Sequence, residues 1–138
     1  MSKKILFFST LIVIILLSIY LLFFHNMISS DFATDVYIRV VDDERNVSVK
    51  KITDQDTIAE LQGIFRGRAN LDSPSCGFSD NISIVMQSVD REILFSPALD
   101  GCFLVRVSGT NRFILITEEQ RDFLNRLFEE HDIFFPHH

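Results

Sequence analysis

Two cysteines, one acid beside them, a small basic cluster and a histidine-bearing tail are the residues of this chain whose types could do chemistry. Nucleophilic or redox work by Cys76 or Cys102 would need a depressed thiol pKa, from a Cys-x-x-Cys pair or a neighbouring histidine. Neither accompanies them. In an oxidising compartment an even cysteine count reads as a disulfide instead. Closing a loop of about 25 residues removes unfolded-state entropy worth roughly 3.5 kcal/mol. For a small domain that is a large share of the total stability.

Asp100 stands in Leu99-Asp100-Gly101-Cys102, next to the expected staple. Acid–base or glycosidic chemistry needs a second carboxyl about 5–10 Å away in a cleft, whereas Asp-Gly is also a common turn pair. Asp100 is therefore read as a turn residue and a candidate surface contact. Arg66-Gly67-Arg68, with Lys50 and Lys51, is a candidate basic patch for an acidic partner or a phosphate group, its plain reading being a solvated surface. His131, His137 and His138 lie near Glu129, Glu130 and Asp132, but a metal needs three or four ligands converging from a held geometry. Adjacent His137 and His138 point apart in an extended chain, so the tail reads as solvated. Asn46-Val47-Ser48 and Asn81-Ile82-Ser83 match the glycosylation pattern and fall at strand starts, so they carry no weight. No nucleophile elbow, zinc-protease helix, phosphate loop or dinucleotide fingerprint occurs. No residue of the chain is expected to be catalytic, to bind a cofactor or to hold a metal.

Location comes from the other end of the chain. Lys3-Lys4 precede an apolar run from Ile5 to Phe24 without charge, Pro or Gly. As a helix it is roughly 30 Å long, the thickness of a bilayer's hydrocarbon core. A cleaved signal has an apolar core of about 7–15 residues and a small-x-small exit. Here the exit is His25-Asn26-Met27-Ile28-Ser29-Ser30, so residues 5–24 read as a retained signal anchor contacting lipid. The basic residues flank its N-terminal side, and none follows before Arg39. Residues 1–4 are therefore expected in the cytoplasm, with residues 25–34 as a short stalk and 35–138 as a domain outside.

The chain has 13 basic and 19 acidic residues; setting aside Lys3 and Lys4 leaves 11 basic, a net charge of −8 for the rest. That excludes a nucleic-acid surface, which must be basic. It also disfavours tight docking on anionic headgroups. Just over 100 residues suffice for one core.

Alternation over 35–41 and 47–52, around the charged turn 42–46, predicts a β-hairpin with Val36, Ile38, Val40, Val47 and Val49 inward and Ser48 and Lys50 outward. Thr53 is the expected cap of a helix whose stripe is Ile58, Leu61, Ile64 and Phe65, ending at Gly67. A loop from Arg66 to Asp80 carries Cys76. Strands follow over 81–87, 92–95, 102–107 and 112–116, with a tight turn at Val89-Asp90 and Pro97 as a stop. Thr117-Glu118-Glu119-Gln120 starts a last helix with a capping box. It presents Phe123, Leu124, Leu127 and Phe128. Of 14 phenylalanines, four belong to the anchor and most others fall on inward faces, with Phe134 and Phe135 as exceptions.

The order ββαββββα predicts an α+β domain: a mainly antiparallel sheet covered on one face by two helices. The third and fourth strands run antiparallel, which brings Cys102 back towards Cys76. The expected function is a non-enzymatic, membrane-tethered accessory module that binds another envelope or secreted protein. An immunity or inhibitor protein against an exported toxin or enzyme is the alternative, because small acidic proteins suit basic active sites. An envelope hydrolase working near Asp100 comes third.

Overall fold

The computed structural model describes residues 3–70 and 74–134. Its first element, α1 (Lys3–His25), is a 23-residue helix with no buried residue, long and apolar enough to cross a membrane. Its serine and threonine hydroxyls are satisfied by its own backbone: Ser9 and Thr10 donate to the Leu6 carbonyl and Ser18 to that of Ile14. Such back-bonding removes the polar groups that a lipid environment would penalise.

The remaining elements are β1 (Met27–Ile28), β2 (Asp35–Val41), β3 (Val47–Ile52), α2 (Gln55–Ile64), β4 (Gly67–Arg68), β5 (Ile82–Gln87), β6 (Glu92–Pro97), β7 (Leu104–Val107), β8 (Phe113–Leu115) and α3 (Glu118–Glu130). The molecule is an α+β protein. Six strands form one sheet in the order β3-β2-β5-β6-β7-β8, with every pair antiparallel, and β1 and β4 make a separate two-residue ribbon.

Register decides which face is core. Val36 opposes Met86 and Ile38 opposes Ile84, and all four are buried. They join Phe95, Val105, Val107 and Ile114 from the same face. From α2 come Leu61 and Ile64, with Phe65 just beyond; from α3 come Leu124, Leu127 and Phe128. The Phe65 ring stacks on Phe95 with centroids 4.3 Å apart and planes within 4°. Packing of such fully buried rings is the largest single source of cohesion available to a domain this size.

Three local expectations are corrected. Residues 25–34 are not a free stalk. Ile28 and Ala33 are buried, Ser30 Oγ donates to the Gln62 carbonyl at 3.0 Å, and Gln62 Nε2 donates to the Ala33 carbonyl at 3.2 Å. Arg112 further clasps the Met27 carbonyl at 3.0 Å. Apolar residues in a short connector gain more by burial than by solvation, so the segment is drawn onto the domain.

The second correction concerns β3. Val47 and Val49 lie on the face opposite the core, each 54% exposed, whereas Ser48, Lys50 and Ile52 share the core face. A period of two cannot bury both Ile52 and Val49, and the pairing of Ile52 with buried Val36 settles the parity. The third is the cap of α2. Asp54, not Thr53, accepts from the Thr57 amide, at 2.8 Å. The capping box of α3 forms as read, with Thr117 Oγ1 accepting from Gln120 N and Gln120 Oε1 from Thr117 N.

Candidate functional site

Cys76 and Cys102 form a disulfide, with Cα atoms 6.1 Å apart. Asp100 does sit beside it. Asp100 Oδ2 accepts from the Gly77 amide at 2.6 Å and Oδ1 from the Cys102 amide at 3.3 Å. The Gly77 N–H above all holds its carboxyl below the usual carboxylate range. The Leu99 amide returns a bond to the Gly77 carbonyl at 2.9 Å. Asp100 thus ties the two strands of the disulfide loop together through backbone hydrogen bonds. Donor atoms of Cys76, Asp100 and Cys102 lie within 4.8 Å of one another, but both sulfurs are consumed by the bond between them.

The expected basic patch is dispersed. Lys50 Nζ reaches across the core face to the His131 carbonyl at the end of α3. Lys51, on the opposite face, pairs with Asp35 at 2.5 Å, and this lowers the Asp35 pKa and raises that of Lys51. Arg66 pairs with Asp31 of the connector at 3.3 Å, while Arg68 stays exposed on the ribbon. His131 ends α3; His137, His138 and Phe135 lie outside the described residues.

What brings chemical groups together is the sheet's other face. Over the Arg106–Phe113 row of β7 and β8 it is covered by the disulfide-closed loop, while Leu115 at the far end of β8 stays 73% exposed. Phe78 packs on Phe113 with centroids 5.4 Å apart, Arg106 lies over the Phe78 ring, and Arg106 pairs with Asp80 at 2.5 Å. Beneath this strap the Ser96 and Ser108 hydroxyls bond each other at 2.7 Å.

Over β3, β2 and β6 the same face is open, with Ser83 and Val85 of β5 buried between them. A groove of about 420 Å³ is lined there by Tyr37, Arg39, Val49, Val85, Gln87, Glu92 and Leu94. Its floor is a row of cross-strand partners, Lys51, Tyr37, Val85 and Leu94. A neighbouring row on the same face pairs Val49, Arg39 and Ser83. The Ser83 hydroxyl is fully buried and has no hydrogen-bond partner among the described residues. Among the described residues the strands place three cations on this face. Lys51 and Arg106 are paired, whereas Arg39, half-buried, has no ion pair or hydrogen bond.

Reading the sequence missed this groove. The available signal was that β5 is apolar at both parities, since Ile84 and Met86 alternate with Val85, so its second face carries an apolar group where a solvated face would carry a polar one. Comparison with known proteins found no matching family model, curated protein or solved structure.

Proposed function

We propose that this chain is a membrane-tethered binding module of the cell envelope, acting by protein–protein contact through its open sheet face. Residues 5–24 anchor it in the bilayer. The flanking Lys3 and Lys4 support a cytoplasmic N-terminus with the domain outside, and a disulfide suits that compartment. The observation that carries the reading is the half-covered face. The strap of Phe78 and Asp80 covers Arg106 and Phe113, while beyond it Val49, Tyr37 and Leu94 line a groove and Val47 stands exposed beside them. Apolar groups left beside a few polar ones mark an interaction surface. Asp100, spent on backbone amides, favours the non-enzymatic reading over the hydrolase.

Crosslinking in intact membranes tests this. A photoreactive residue at Leu94 should give a discrete protein adduct, and one at exposed Glu60 on α2 should not. Equal patterns at the two positions, or no adduct at Leu94, would overturn the proposal.

A further inference from the structure

We propose that the groove and the free edge of β3 together take an extended polypeptide segment as an added strand, with a carboxylate of that segment held by Arg39. The inference rests on the binding-module reading and names the chemistry of its partner.

Three observations converge. First, β3 is the end strand of the sheet, and every residue from Val47 to Lys51 is exposed. Its outer backbone N–H and C=O groups therefore face away from the sheet, a template for another strand. Second, the usual guard of such an edge is disarmed. Lysines protect edges by projecting outward, but Lys50 is bonded back to the His131 carbonyl and Lys51 to Asp35. Third, among the described residues Arg39 is the strand cation of this face without a side-chain partner, in register beside Val49 on β3.

The geometry links the edge to the cation. A strand added to β3 lies about 4.8 Å from it and so about 9.6 Å from β2. Its residue opposite Val49 projects on the groove side, and a Glu or Asp there, leaning over Val49, meets the guanidinium of Arg39 from the other side. Residues two positions either way fall beside Val47, where an apolar side chain fits, and beside Lys51, whose charge is already met by Asp35. A planar guanidinium with several donors is the natural match for a carboxylate. Half-buried and unpaired, Arg39 has lost some water without gaining a counter-charge, and a bound carboxylate supplies one.

The test uses the purified full chain in nanodiscs and a displayed library of random linear peptides. Selection should enrich peptides with alternating apolar residues and an acidic residue at one fixed position. Replacing that acid by its amide, or making Arg39→Gln, should weaken binding about ten- to hundred-fold. The double change should cost little more than either single one. N-methylation of alternate peptide bonds should abolish binding, as strand addition requires. An unchanged thermal midpoint of R39Q would show that the fold is intact. Peptides competed from the groove but indifferent to acid and to R39Q would overturn the role of Arg39 while leaving the binding-module reading in place. Enrichment of nothing that contacts the groove would overturn both.

Discussion

At the scale of single residues, the acid that looked most chemical is structural. Asp100 accepts from the Gly77 and Cys102 amides, and its pKa is lowered chiefly by the first of these. A depressed folded-state pKa means a stabilising contribution that is fully present above the unfolded carboxylate value, about 3.9. It is lost as pH falls through the depressed value. Asp100→Asn should therefore lower the thermal midpoint at pH 7, and the two melting curves should converge as pH falls through the depressed Asp100 value. A gap that stays constant down to acid pH would show that charge is irrelevant there. Asp35, Asp42 and Asp54 are shifted the same way, by Lys51, Asn46 and Thr57 respectively, so the whole domain should lose stability below about pH 4.

At the scale of elements, the helix starts and the tight turns were readable because their signals span three or four residues. The capping box of α3 is the plainest case, with both reciprocal bonds present. Thr117→Ala should cost about 0.5–2 kcal/mol, seen as a lower urea midpoint at unchanged slope. The turn at 42–46 is another: Asp42 accepts from the Asn46 amide at 2.7 Å and Arg45 takes a positive φ of 66°. By contrast, β3 misled. Its valines alternate as core residues should, yet its facing was set by Ile52 against Val36, a pair 16 positions apart in the chain. Strand parity is a property of the partner, and a one-residue change of parity exchanges the two faces.

At the scale of the whole molecule, stability rests on one core face and one covalent closure. The disulfide holds the strap that covers the Arg106–Phe113 row of the second face, so losing it should loosen both the fold and that cover. Replacing Cys76 and Cys102 together by Ser should cost about 2–5 kcal/mol. A thiol reductant should lower the thermal midpoint of the natural chain and leave that of the double variant unmoved. An equal response of both would place the disulfide outside the folding energetics. The connector between α1 and β2 adds a further consequence. Held by Ser30, Gln62 and Arg112, it carries the domain close against the end of the apolar helix rather than on a flexible tether.

The chain by itself determined the apolar helix, the α+β class, the positions of the six strands of the sheet and of two amphipathic helices, and the approach of Cys76 to Cys102. Each follows from contacts within a few residues, or from the reversal of one strand onto the next. Only the tertiary structure decided that β2 lies between β3 and β5, that Val47 and Val49 face away from the core, and that residues 27–33 are woven into the domain. It also decided that, of the strand cations on the face away from the core, Arg39 is left unpaired among the described residues while Lys51 and Arg106 find acids. Those outcomes depend on which distant segments share a register and compete for the same partner. Such long-range pairing leaves no periodicity for local reading to detect.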